Sequence, residues 1–197
     1  LLKQLYPIIA EHIYAFKQIL VDKRASLNEK TEQWFTLNRG TSHPEVFSKC
    51  KIVCPQRSKT NTFGYNECEW YAASDVFFLT NPKEGYDLKY LLGLLNSKLY
   101  FMWLYSKGKR KGETLELTAT PLSEIPIKKC GDREMASVVL LVDSIISAKK
   151  QGKDTSALEN QIDFLVYHLY GLTYDEVLIV DPETPISREE YEAYKED

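Results

Sequence analysis

Six consecutive side chains able to hydrogen-bond, Gln56, Arg57, Ser58, Lys59, Thr60 and Asn61, follow the run "KIVC" (51–54) and Pro55. These residue types suit recognition rather than bond-making. Arginine reads guanine bidentately and glutamine or asparagine reads adenine, with ~1–3 kcal/mol of discrimination per good pair. Ser58, Lys59 and Thr60 suit base edges or backbone. A second group, Lys107, Lys109, Arg110 and Lys111, lies in "SKGKRKGE" (106–113), which reads as a mobile, solvated loop. Cations of that kind clamp phosphates, which fix register without carrying sequence information. Trp34, Trp70 and Tyr71 have rings for stacking on bases, although core packing is their more ordinary use. Either loop alone fits a solvated surface; together they point to an anionic partner.

The bulk charge of -3 and pI near 5.7 argue against a nucleic-acid binder. The charge is segregated, however. From Arg39 to Lys111 there are 12 Lys and Arg against 6 Asp and Glu, while the remainder of the chain holds 13 against 22. A basic middle between acidic ends still offers one basic face. The 197 residues, 44% of them hydrophobic, suffice for one large or two small folded domains.

Catalytic constellations are missing from the sequence. No Gly-x-Gly phosphate loop follows a strand, and "KGKRKG" is too basic for a Walker loop. No Gly-x-Ser-x-Gly elbow occurs, and no Pro-Asp followed by Glu-x-Lys suggests a nuclease core. Glu67 and Glu69 are two apart and fit a solvated strand face. The cysteines at 50, 54, 68 and 130 match no zinc pattern; Cys50 and Cys54 share a parity and read as small core residues in a reducing compartment. The histidines at 12, 43 and 168 are scattered, so no metal is expected. No signal-peptide layout is visible. The most apolar stretch, 90–105, is broken by Asn96, Ser97 and Lys98 and is shorter than the ~20 residues of a membrane span. A cytoplasmic, membrane-free location is expected, and the start at Leu1 suggests a fragment or a processed product.

The elements that must hold these groups are legible in outline. Apolar residues at helical spacing over 2–24 predict a helix, regular from about Pro7, and 22–34 reads as a connection. "WFTLNRG" (34–40), Lys51–Cys54 and Tyr71–Leu79 read as strands, "TNPKEGYD" (80–87) as turn chemistry. Asp87 caps a helix from Leu88 to about Tyr105 that is apolar on most sides. "TLELT" (114–118) reads as a strand and "PLSEIPI" (121–127) as an extended segment. Helices are expected at 132–151 and at 156–170, the latter closed by Gly171, with a short helix or strand over 173–180 and an acidic tail from Asp181. The fold class is therefore α+β: a central mixed β region with a buried helix, flanked by N-terminal and C-terminal helices.

Several stretches resemble a known family. "WFTLNR" (34–39), "KIVCPQRSKTNTF" (51–63), "DLKYLLGLLNSKLYFMWL" (87–104), "KGETLELTATPLSEIPI" (111–127) and "LENQIDFLVYHLYGLT" (158–173) occur in the order and spacing of the TaqI-like C-terminal specificity domain. The "YLLGLLNSKL" helix and the ending Leu122–Ile127 are the most specific parts. That domain is the target-recognition part of adenine-specific DNA methyltransferases and of type IIG restriction–modification enzymes. Arg39 matches the family's Arg after Trp-x-x-Leu; Lys51, Pro55 and Ser58 match its Lys-Ile-Val-x-Pro-x-x-Ser stretch. Members often continue Arg-Pro-Arg where this chain has Arg39-Gly40-Thr41, which removes the second basic position. Asn81-Pro82 begins like the Asn-Pro-Pro-Tyr motif of adenine methyltransferases but continues Lys83-Glu84, and so reads as a turn.

The resemblance implies a DNA target-recognition core over 31–130, between helical segments at 1–30 and 131–180 and the acidic tail at 181–197. Its partners would be double-stranded DNA and the methyltransferase domain of the same parent chain. No cofactor is expected in this fragment; S-adenosylmethionine would sit in the parent's catalytic domain, which flips and methylates adenine and is in some members fused to a type II endonuclease. Arg39, Gln56, Arg57, Ser58, Lys59, Thr60, Asn61, Lys107, Lys109, Arg110 and Lys111 are the expected DNA-binding residues. The fragment alone is expected to catalyse nothing. The alternative is a helical protein-interaction module whose acidic helices dock a partner, with the basic residues incidental.

Overall fold

The structure, a computed structural model, describes residues 2–36 and 44–194. The chain divides into two compact units, residues 1–44 and 45–197.

The first unit is helical, with α1 (Leu2–Leu5), α2 (Pro7–Tyr14), α3 (Lys17–Ser26) and a 3-10 turn at Thr31–Gln33. The expected continuous helix is thus in three pieces. Pro7 opens α2, where its missing N–H has no helical partner to lose. Nothing in the sequence marks the second break at Phe16. Helix α3 runs well into the stretch read as a connection. The strand expected at 34–40 is a turn over 34–36; its remainder, with Arg39, lies outside the described residues. Trp34 is buried and meets the Tyr14 ring edge-on at 5.0 Å. Buried Arg24 donates to the carbonyl and hydroxyl of Thr36.

The second unit contains the β structure. Strand β1 (Lys51–Pro55) pairs antiparallel with β3 (Gly64–Asn66) and β4 (Val76–Leu79), giving the order β3-β1-β4. The expected strand at 71–79 forms only at 76–79, because the β1 ladder ends at Pro55 opposite Val76. Beyond it Gln56 bridges two sheets, its N–H donating to Asp75 O and its carbonyl accepting from Leu117 N. The chain then enters a second sheet as β2 (Arg57–Ser58), paired with β6 (Thr114–Glu116), which in turn pairs with β5 (Lys109–Lys111). The stretch read as a mobile basic loop is therefore one strand of a hairpin. Its two-residue turn starts at Gly112 with φ +62, a backbone state glycine adopts without strain.

Asp87 caps α4 (Leu88–Asn96) as expected, but the helix stops there, and α5 (Lys98–Ser106) begins one residue later. Ser97 is the shared joint, extended at φ -70, ψ 158. Tertiary partners take up the groups this break exposes. Asn61 Nδ2 donates to Leu95 O and Ser97 O, both at 2.8 Å, and Asp163 Oδ1 accepts from Lys98 N at 2.8 Å. The segment read as extended, 121–127, begins inside α6 (Ala119–Ser123), with Pro121 in its first turn, where proline is tolerated.

Helices α7 (Asp132–Lys150) and α8 (Ser156–Leu169) form as expected, and Gly171 takes φ +68 after α8. Gly93 lets α4 close on α7: a Cβ there would lie 2.7 Å from Val138 Cγ1. Residues 173–180 resolve to a helix, α9 (Tyr174–Val180), with a Thr173–Glu176 capping box. The acidic end carries α10 (Arg188–Ala193), whose buried Tyr191 stacks on His168 of α8 at 4.1 Å. Ile52, Cys54, Tyr90, Leu94, Leu104, Leu115 and Val166 form the core. Cys54 is the core cysteine expected; Cys50 precedes β1 and is exposed. Helices toward both ends of the chain, with small antiparallel sheets between them in sequence, make the fold α+β. Among the described residues no helix is long and apolar enough to cross a membrane.

Candidate nucleic-acid interface

Sheet β2-β6-β5 gathers cations from two distant stretches of sequence. Arg57 and Lys109 lie directly opposite Glu116, one on each side of the middle strand. Directly opposed residues share a face of a sheet, so Arg57, Glu116 and Lys109 form one row across it. The Glu116 side chain is only 10% exposed; its Oε2 lies 2.9 Å from Lys109 Nζ and its Oε1 3.5 Å from Arg57 Nη2. The hydrogen bond from Lys109 holds the Glu116 carboxyl below its ordinary pKa, against the opposing effect of burial and with help from the Arg57 and Lys111 charges. Lys111, two residues from Lys109, shares this face.

The alternation of β6 explains the geometry. Leu115 and Leu117 point into the core, so Glu116 between them points out. Arg110 lies opposite Leu115, and its guanidinium sits 4.0 Å from the centroid of the Tyr105 ring. The Tyr105 ring in turn lies 5.8 Å from Phe101, so Arg110 rests on an aromatic shelf supplied by α5.

The stretch 56–61 is a strand and a short loop anchored at both ends. Gln56 and Arg57 are fixed by the second sheet. Asn61 is fixed by α4, and Phe63 N and O exchange hydrogen bonds with the Asn96 side chain, both at 3.0 Å. Both amide hydrogens of Asn61 are therefore spent on main-chain carbonyls rather than held out. Ser58 Oγ and Thr62 Oγ1 bond each other at 2.8 Å, and Thr60 Oγ1 lies 3.3 Å from the same Thr62 hydroxyl. Lys59 and Lys107 are exposed and have no side-chain partner among the described residues. The structure thus joins Arg57, Lys109 and Lys111 on one face, with Lys59 and Lys107 free near its edges.

The family description of the TaqI-like C-terminal specificity domain matches residues 7–127, more than half of the chain. The chain belongs to that family. Among curated proteins, this specificity domain is 28% identical over 166 residues to the type II methyltransferase M.MjaIV of Methanocaldococcus jannaschii, covering 83% of this chain and 55% of that protein. It is 30% identical over 115 residues to M.HindII and to M.HincII, type II methyltransferases of Haemophilus influenzae, covering 54% of this chain and 22% of each. The chain thus spans about half of the first relative and under a quarter of the other two.

Two residues of the specificity domain have roles that sequence reasoning missed. Lys51, matched to the family pattern, is fully buried and donates to Phe47 O, Lys49 O and Cys68 O at 2.8, 2.8 and 3.0 Å. It ties the loops around β1 together and offers no charge to a ligand. Glu116 was overlooked because a search for cations passes over an acid; the strict alternation of "TLELT" was the available signal. Trp34 is buried, whereas Trp70 and Tyr71 are 40% and 64% exposed. Among the described residues no group of three or more His, Cys, Asp or Glu is placed to hold a metal ion.

Proposed function

We propose that this chain is the DNA-reading part of a restriction–modification methyltransferase. Arg57 and Gln56 face base edges, while Lys59, Lys107, Lys109 and Lys111 hold phosphates on either side of them and Arg110, on the opposite face of the edge strand beside Tyr105, adds its charge nearby. Gripping the duplex in this way presents a target adenine to a catalytic domain outside this chain, where S-adenosylmethionine belongs. Asn61 acts here as the anchor of the reading loop rather than as a reader, and Arg39 remains a candidate contact through the family match. The cationic row on sheet β2-β6-β5, within a specificity domain, is the observation that supports this reading most strongly.

Fluorescence anisotropy with a labelled mixed-sequence duplex tests it. The Lys109, Arg110, Lys111→Glu triple variant should lose at least about 100-fold in affinity, as two phosphate contacts become repulsions and a third nearby cation is reversed. Equal binding by variant and wild type would defeat the reading.

A docking role is favoured in addition by the N-terminal unit. Ile8, Ile19 and Leu5 are 82%, 67% and 59% exposed, more apolar surface than a solvent-facing helix pair ordinarily carries. In this reading that surface packs on the methyltransferase domain of the parent chain. Ile8 and Ile19→Lys substitutions should leave DNA binding by this chain intact and abolish its association with that domain in a pull-down. Undiminished association would remove the docking role.

A further inference from the structure

We infer that Glu116 is a positioning residue for DNA reading: it holds Arg57 and Lys109 in fixed poses, restraining Arg57 from indiscriminate phosphate contact. The inference rests on the DNA-reading proposal and deepens it.

An acid in the middle of a DNA-facing cationic row needs an explanation, since it lies where a nearby phosphate would repel it. Solvation does not supply one. The Glu116 side chain is 10% exposed, whereas Arg57 is 49% and Lys109 69% exposed. The carboxylate therefore lies beneath its two partners, each of which covers it from a neighbouring strand while keeping its own outer edge open. Both oxygens are engaged, one per cation. Their placement is set by strand register rather than by flexible loops, because the Cα positions of Arg57, Glu116 and Lys109 are aligned across three strands.

The physical consequence differs for the two cations. An arginine ion-paired through one Nη at 3.5 Å keeps donors free for a bidentate contact and is biased away from the rotamers that would follow the phosphate backbone. Lys109, with one of its three hydrogens on Oε2, has less charge to offer a phosphate. Recognition gains a pre-set reader, and non-specific affinity falls. Without Glu116 the same row would be a plain cationic strip, binding any duplex.

The test uses the 197-residue chain and two duplexes, one enriched from a random library by the wild type and one scrambled from it. In Glu116→Gln, affinity for the scrambled duplex should rise and the preference for the enriched duplex should fall about tenfold, the loss of one good base contact. The slope of log affinity against log salt should steepen by about 1, as Arg57 turns to a phosphate. In an Arg57→Ala background the same substitution should leave the remaining preference unchanged, because Glu116 acts through Arg57.

Glu116→Asp retains the charge but spans the two partners less well. It should lower the preference while leaving the salt slope at its wild-type value, and it serves as the readout if the glutamine variant fails to fold. Equal changes on both duplexes, or an aspartate variant with full preference, would overturn the inference while leaving the DNA reading standing. A wild type that binds no duplex, even at low salt, would overturn both.

Discussion

The two small sheets of the second unit share one continuous stretch of chain, residues 51–58, yet use their charged residues in opposite ways. In sheet β3-β1-β4, Lys51 is fully buried and spends its hydrogens on three carbonyls. In sheet β2-β6-β5, Lys109 is exposed and rests on a single carboxylate. Both lysines belong to the basic middle of the sequence, but only the second belongs to a basic surface. Local charge counts therefore overstate a binding face wherever a cation is used inside. The difference is set by what surrounds each strand: loops folded over the start of β1, open solvent beyond β5.

Carboxylates divide in the same way. Glu116 has its pKa held down by Lys109, while Asp163 is pushed up to about 6 by burial, which outweighs the hydrogen bond from Lys98 N and the Lys98 charge. Two nearly buried acids thus respond in opposite directions: the cation on each oxygen prevails at Glu116, and burial prevails at Asp163.

The largest effect is expected from the buried lysine. Lys51→Met leaves three carbonyls without a donor and should lower unfolding stability by at least ~3 kcal/mol, read from denaturant titration. Lys109→Met should change stability by under ~0.5 kcal/mol while weakening DNA binding. Reversed results for the pair would erase the distinction between the two sheets.

Asp163→Asn comes next. Its folded pKa of about 6 lies above the ordinary 3.8, so the folded state holds the proton more tightly. Stability from this group is present at low pH and is lost as pH rises from about 4 to about 6. The asparagine variant should be about 2–3 kcal/mol more stable than wild type at pH 7.5 and no more stable near pH 4. A pH-independent difference in thermal unfolding would show that burial of Asp163 carries no such cost.

A smaller loss of stability than at Lys51 is expected at the loop anchor. Asn61→Ala removes two hydrogen bonds to the α4–α5 joint and should cost about 1–2 kcal/mol. It should also reduce preference among duplexes, since the reading loop loses its second attachment. Loss of stability with unchanged preference would place the loop outside the reading surface.

Much of this was legible in the sequence. Asp87 as a cap, the strand at 51–54 and the long helices α7 and α8 follow from local chemistry that needs no distant partner. Two of the larger errors share one cause, which is tertiary contact overriding local pattern. The polar interruption at Asn96–Lys98 in the run 88–105 does not by itself end a helix; the break at Ser97 is stabilised by Asn61 and Asp163, more than 30 residues away on either side. "KGKRKG" looks like a loop until β6 is there to pair with it. Within the site, residue types pointed to Arg57 and the 107–111 cations. The commitment of Asn61 to the joint and the place of Glu116 beneath two cations became visible only once strand register was fixed.

The most direct test of the account is the salt dependence of duplex binding by the wild-type chain. Four cations, Lys59, Lys107, Lys109 and Lys111, are assigned to phosphates, so log affinity against log salt should fall with a slope of about -4. A slope near zero would contradict the account: the cationic sheet would then play no part in binding, and the chain's surfaces would serve protein partners instead.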